Sequence, residues 1–329
     1  MIHQHETFNE FMAGASRGRP LTNSVGRKAM TRTRLQSLIA QGFGQGRGEN
    51  YVPLIRVTRG NAPRKSNHVT AVTHIHARPV HLLSRMEYLA LRLAVWLGAK
   101  EVREQFPLWP WEGSPHPMAG LDPARDSALP ATPGLMAVAA EAGIHHGTWV
   151  GAAGLPYVAT TDLVIRLGTP PTDRLVFWSC KPASVLADPK QGPRAWERIE
   201  LERRYALAIG AHHAVYDGTQ APGVLLDNLD WLEPTRSEMN DQALAQGREA
   251  FAQAFNGTDP YATVEQRIHA VASLLDMELP VAQRHFRATA WQCAIDVDLS
   301  QPVVMSRPLR TGGAQVKRAL IHQLMGGQS

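Results

Sequence analysis

Cysteine is nearly missing from this sequence: Cys180 and Cys293 are the two in 329 residues. That excludes a disulfide-framed fold and a paired-cysteine zinc motif, and it makes a reducing cytoplasm the expected compartment. Long apolar runs are missing as well. The longest, from Tyr88 to Ala99, is interrupted by Arg92 and is too short for a bilayer, so no membrane association is expected. The N-terminus has polar and acidic residues where a secretory signal needs a basic end and then an apolar core. What is there, 44% apolar and 19% charged residues, is enough for two soluble domains with a core each.

Acidic residues are scarce at one end. Residues 1–80 hold 12 Lys and Arg against three acids, a balance of +9, and the net charge of +5 leaves −4 for the remainder. A basic arm on a slightly acidic body suits a phosphate-backbone partner, with Arg32, Arg34, Arg47 and Lys65 as candidate contacts. The competing reading is a solvated, disordered tail.

The most informative stretch runs from Thr160 to Lys181. TTDLVIRL alternates after Asp162, GTPPTD reads as a turn, and RLVFWSCKP carries a short apolar run, so a β-hairpin is expected. Asp162 starts one strand. Ser179 and Lys181 end the other and, being two apart, are expected on one face. A carboxylate beside a lysine on adjacent strand ends is how nucleases of the PD-(D/E)xK type hold a divalent metal and the attacking water. The acid expected two positions before the lysine is absent: position 179 is serine.

Around this hairpin the periodicity gives a mixed α/β reading. A short helix is expected over Thr31–Gln41, ending at the glycine-rich stretch 42–48, whose glycines let the backbone approach something with Arg47 at hand. YVPLIRV reads as a strand entry, and residues 63–79 as a β-ribbon with His74 and His76 on one face, a weak metal-ligand spacing. Ser84 and Glu87 stand as a capping box on a helix whose apolar face includes Leu89, Leu93 and Trp96. Glu87 therefore has a structural reading beside a metal-binding one. Val102–Trp111 reads as a core strand, the proline-rich residues 112–133 as an insertion, and Leu135–Gly143 as a short helix. The charge run in AWERIELERRYALAIG reads as the solvated face of a helix laid on the sheet. HHAVYDG is a further strand and VLLDNLDWLEP a helix closing the first domain. Beyond it, residues 237–256 read as one amphipathic helix, 262–276 and 281–293 as a helix pair broken at Pro280, and AIDVDL with QPVVMSRPL as a small β wing. A basic helix follows Gly312 and Gly313.

Over about residues 34–232 the chain resembles the TnsA endonucleases, subunits of heteromeric transposases. The segments that carry the resemblance are GQGRGENYVP, HLLSRMEY, VREQFPL, AGIHH, TTDLVI, CKPASVL, ERIELERRYA and DNLDWL, in that order. The resemblance implies a restriction-endonuclease-like mixed sheet flanked by helices, followed by a winged-helix-like domain. In this sequence that gives a basic arm (1–50), a catalytic domain (51–234), the winged-helix-like domain (235–311) and a basic tail helix (312–329).

The same resemblance implies an Mg2+-dependent phosphodiesterase, with Mn2+ as a substitute, that cuts the non-transferred 5′ strand at transposon ends. Glu87, Asp162 and Lys181 match the family's catalytic positions. Glu87, Asp162, Ser179 and the backbone carbonyl of Cys180 match its metal site, where the best-known members have glutamine at the position of Ser179. Implied partners are transposon-end DNA, a TnsB-type DDE transposase and a TnsC-type ATPase regulator. A serine hydroxyl is a weaker ligand for a hard cation than a carboxylate or amide oxygen. A weakened subunit acting mainly in DNA and partner binding is thus the alternative, and a restriction or repair nuclease of the same fold is a third reading.

Overall fold

The computed structural model describes residues 6–13, 30–57, 68–70, 75–150 and 154–326. In chain order the elements are α1 (Phe8–Ala13), α2 (Arg32–Ala40), β1 (His68–Thr70), β2 (Val80–Leu82), α3 (Arg85–Trp96), β3 (Ala99–Leu108), α4 (Pro123–Asp126), α5 (Leu135–Ala142), β4 (Ala159–Leu167) and β5 (Arg174–Cys180). Then come α6 (Ala183–Leu186), α7 (Gly192–Ala208), β6 (His212–Tyr216), α8 (Gly223–Leu232), α9 (Arg236–Asn240), α10 (Gln242–Asn256), α11 (Val264–Leu274), α12 (Leu279–Trp291) and α13 (Gly313–Met325). Two compact units result. The first takes the chain through Thr70, then Val80–Tyr88 and Lys100–Asp217; the second takes Ala71–Pro79, Leu89–Ala99 and everything from Gly218.

The first unit is built on a four-stranded sheet in the order β3-β4-β5-β6. The hairpin forms as its sequence suggests: β4 and β5 pair antiparallel, with Leu163 opposite Trp178 and Leu167 opposite Arg174. β6 adds parallel to β5, which needs a crossover, and α6 and α7 supply it. The sheet is therefore mixed. Phe106, Val164, Leu175 and Phe177 on its strands pack with Leu201 and Tyr205 of α7 in one apolar cluster. β3 is buried on both faces although it carries Glu101, Arg103, Glu104 and Gln105. Burying charge is tolerable when each group is paired, and here they are. Glu101 meets Arg47 at 2.6 Å and Arg166 at 3.3 Å, and Arg103 donates to the Pro117 carbonyl at 2.6 Å while its guanidinium lies 4.8 Å from the Phe106 ring centre.

Several expectations are corrected here. Residues 6–13 are packed rather than a free arm: α1 buries Phe8 and Phe11, and Phe11 stacks on Trp111 with ring centres 3.7 Å apart. The glycine-rich stretch does use positive φ at Gly42, Gly44, Gly46 and Gly48. The close approach is to its own chain, since a Cβ at Gly44 would strike the Pro107 ring and one at Gly46 the Asn50 carbonyl. YVPLIRV forms no strand, only a single bridge between Gln45 and Val52. Residues 112–133 are no loose insertion. They carry α4, place Met118 in the core, and offer the Pro117 carbonyl to both Arg47 and Arg103.

The second unit is helical. Phe251 and Phe255 of α10 and Phe286 of α12 form its aromatic centre, with Ile268 and Val271 of α11 buried beside them. Trp96 Nε1 donates to the Trp291 carbonyl at 3.1 Å, and Asn228 donates to the carbonyls of Leu299 and Gln301 at 2.8 Å each. The single helix expected over 237–256 is two, because Asp241 turns extended and caps α10 by accepting from Ala243 and Leu244. Pro280 does not break a helix but sits in the first turn of α12, where its missing N–H costs nothing. The expected wing, residues 294–299 and 301–309, contains no strand among the described residues. No helix among the described residues is long and apolar enough to cross a membrane.

Candidate active site

A cavity of about 250 Å3 opens in the first unit beside the ends of β4 and β5. Glu87, Asp162, Lys181 and Glu202 all line it, together with Gln105, Thr160 and Arg198 and an apolar wall that includes Leu83 and Leu201. Asp162 reaches it because β4 and β5 run antiparallel and end together. Its Oδ2 accepts from the Cys180 backbone N–H at 2.7 Å and from Lys181 Nζ at 2.6 Å. Lys181 Nζ also donates to the Cys180 carbonyl at 3.1 Å. These attractions, Asp162 foremost and Glu202 next, outweigh burial and hold the lysine's pKa above its usual value. It stays charged through any working pH.

Glu87 does two jobs at the start of α3. Its Oε2 accepts from the Leu83 N–H at 2.8 Å, its Oε1 from Ser84 Oγ at 3.1 Å, and Ser84 Oγ accepts from the Glu87 N–H at 3.1 Å. The helix-capping reading and the cavity reading are both realised, since a first-turn carboxylate faces outward from the helix end. Burial first, and the nearby Asp162 charge second, raise its pKa to about 7.

Two cavity residues escaped the sequence reading. Gln105 sits at φ 47 inside β3, a conformation most L residues avoid, and so turns its amide into the cavity. There it donates to Glu87 Oε2 at 3.0 Å and accepts from Thr160 Oγ1 at 3.1 Å. Glu202 comes from α7, from within the charge run taken as a solvated face. It is buried, accepts from Ser179 Oγ at 2.5 Å and Thr161 Oγ1 at 3.0 Å, and has its pKa raised to about 7 by burial and then by Asp162. The one signal for Glu202 was its spacing: Leu201, Glu202 and Tyr205 share the face that α7 turns inward.

The remaining sequence candidates fall as follows. Ser179 is fully buried and does not line the cavity; its hydroxyl contacts Glu202 and, at 2.9 Å, His213 Nε2. The Cys180 thiol is buried and its pKa is pushed well up, so it is an inert packing group, while its carbonyl lies beside Lys181. Arg47 is corrected as a phosphate contact. Its guanidinium is committed to Glu101 and to the Pro117 and Ala119 carbonyls. Arg32 pairs with Glu6 and lies 4.8 Å from the centre of the Phe11 ring, half exposed. Arg34 follows the cap of α2 and offers its backbone N–H to Thr31. Lys65 and His74 lie outside the described residues, and His76 is buried in the second unit.

Hard oxygen donors suit a divalent cation of the Mg2+ kind, which is commonly held by one or two carboxylates with water and substrate phosphate completing its shell. Glu87 and Asp162 facing one cavity, with the Cys180 carbonyl beside them, are such a set. Among the described residues no three His, Cys, Asp or Glu side chains gather closely enough to hold a metal by themselves. The fit is thus to a partly hydrated ion.

Comparison with known proteins gives the setting. The chain is 26% identical over 210 residues to the Tn7 transposition protein TnsA of Escherichia coli. The chain is thus similar to a TnsA protein. The match covers 63% of this chain and 65% of TnsA, so it spans less than two thirds of that protein. No family model matches the chain.

Proposed function

We propose that this TnsA relative is a metal-dependent DNA endonuclease that cuts the non-transferred 5′ strand at transposon ends. Its first unit serves as a restriction-endonuclease-like catalytic domain. The observation that carries the reading is the contact of Asp162 with Lys181, 2.6 Å apart across two strand ends, in a cavity that also receives Glu87.

Glu87 and Asp162 would hold Mg2+ or Mn2+, with the Cys180 carbonyl as a backbone donor. Bound there, the ion would supply Lewis-acid polarisation of the scissile phosphate and make the attacking water more acidic. Lys181, kept charged by Asp162, orients that water and offsets the negative charge that develops on the phosphate oxygens. Gln105 holds Glu87 by one oxygen and keeps it aimed. Glu202 fills the place the fold reserves for an acid two before the lysine, reaching from α7 instead of from β5. With a pKa near neutrality and two hydroxyls donating to Oε2, its carboxyl can take up and return a proton. The presence of this carboxylate favours an active enzyme over the weakened-subunit reading.

The partners follow from the same relationship: transposon-end DNA, a TnsB-type DDE transposase that joins the freed end, and a TnsC-type ATPase regulator. The C-terminal residues 235–329, which carry helices and no gathering of metal ligands among the described residues, are assigned to partner binding. The test is strand nicking of end-containing duplex with Mg2+ or Mn2+ in the presence of the cognate transposase. Cleavage 5′ of the end, lost on chelation, is expected. Absence of any cutting with either ion would sink the proposal.

A further inference from the structure

α7 carries four arginines, and three of them have an acid. Arg194 pairs with Glu197 at 2.6 Å, and Arg203 and Arg204 both pair with Glu200 at 2.7 Å. The helix's remaining acid, Glu202, is held by the hydroxyls of Ser179 and Thr161. Arg198 is left over: it is exposed, it lines the cavity, and it makes no ion pair or hydrogen bond with any described residue. It stands one turn before Glu202, so both lie on the helix face that meets the cavity.

The cavity's other cation is already occupied. Lys181 spends two of its three donors on Asp162 and the Cys180 carbonyl. Glu87, Asp162 and Glu202 line the same site, and an incoming anion gains from an unspent positive charge beside them. A guanidinium suits that need, since its donors form a rigid fork that matches the geometry of phosphate oxygens.

We infer that Arg198 forms a phosphate subsite in this cavity, its guanidinium taking the non-bridging oxygens of a phosphodiester. This rests on the nuclease reading for the identity of the phosphate, while the anion site itself follows from the unpaired arginine. Lys181, with two donors already engaged, keeps its place beside the water, and Arg198 shares with it the charge on the phosphate oxygens.

The experiment uses the full chain and the variants Arg198→Gln and Arg198→Lys, which change an exposed side chain and leave the fold alone. Inorganic phosphate at low millimolar concentration, with ionic strength held by chloride and Mg2+ present, is the probe. Thermal melting should rise with phosphate in the wild type, lose that rise in Arg198→Gln, and keep part of it in Arg198→Lys. An equal rise in wild type and Arg198→Gln, or none in either, overturns the subsite. Nicking measured alongside decides the other question: with the subsite intact, Arg198→Gln should lower kcat/KM about a hundredfold, as loss of one charge-stabilising donor does. Phosphate binding that depends on Arg198 in a protein that never nicks would uphold the subsite and reject the nuclease reading.

Discussion

Ser179 donates its hydroxyl to Glu202 Oε2 at 2.5 Å, joining the last turn-in of β5 to a carboxylate that arrives from α7. The serine that looked like a weakened metal ligand is instead a support for another acid. A glutamine at 179 would have to fit where the serine is fully buried, between Glu202 and His213. Ser179→Gln is therefore expected to overpack the site, costing about 1–3 kcal/mol, and to leave the Mg2+ requirement for nicking no lower than in the wild type. Ser179→Ala should fold normally and cut more slowly, because Glu202 loses a hydrogen bond that steadies its charged form. Melting curves and an Mg2+ titration of both variants check this, and a reduced Mg2+ requirement in Ser179→Gln would restore the ligand role.

Glu202 gives a pH prediction for the metal-free protein. Its pKa moves from an ordinary 4.5 in the open chain to about 7 in the fold, through burial first and Asp162 second. Between those values the folded protein keeps a proton that the unfolded chain releases, so stability is full below 4.5 and is lost as pH rises toward 7. Glu202→Gln copies the neutral form and removes that loss. Buried histidines such as His213, whose pKa burial lowers to about 4, pull with the opposite sign, so the readout is the difference between variant and wild type. With chelator present, the melting temperature of Glu202→Gln minus that of the wild type should grow from pH 4.5 to pH 8. A constant difference would place Glu202 in an environment like water.

How much of this was open to a reader of the sequence differs by residue. The Asp162–Lys181 contact was legible because a hairpin joins strands that are neighbours in sequence, so alternation and one turn fix which ends meet. α2, α3, α5, α7 and α8 were legible from their apolar spacing. Glu202 was hidden, since ERIELERR presents three acids and three arginines around Ile199 and Leu201, and only packing decides which one faces in. Gln105 was hidden for a different reason: a strand residue at positive φ breaks the alternation on which strand reading depends. Arg47 read as free because its partner Glu101 lies 54 positions away, and no local rule links them.

Asp162 carries structural weight as well as its place in the cavity. Its Oδ2 accepts both the Cys180 N–H and Lys181 Nζ, and both donors are largely shielded from water. Asp162→Ala leaves them unmet and should cost about 1–3 kcal/mol of stability in addition to abolishing nicking. Asp162→Asn keeps an oxygen for the Cys180 N–H and should be equally inactive but closer to wild type in denaturant midpoint. Equal midpoints for the alanine variant and the wild type would show that the two donors find water in place of the carboxylate.

Arg47 separates the charge of the N-terminal region from its use. Counted in the sequence it is one of the 12 cations of residues 1–80 and sits on a glycine-rich loop, which suggested a phosphate contact. In the fold its guanidinium meets Glu101, itself 4% exposed, and binds the Pro117 and Ala119 carbonyls. Burial alone would raise the pKa of Glu101, but Arg103 and Arg47 together hold it near 2, so the carboxylate remains charged inside the protein. Removing one partner of such a pair strands the other, a loss of about 3 kcal/mol. Arg47→Ala should accordingly lower the denaturant midpoint strongly while leaving the slope of log DNA affinity against log salt unchanged, since no phosphate contact is lost. A shallower slope with unaltered stability would return Arg47 to the DNA-contacting surface and leave Glu101 to Arg103 and Arg166.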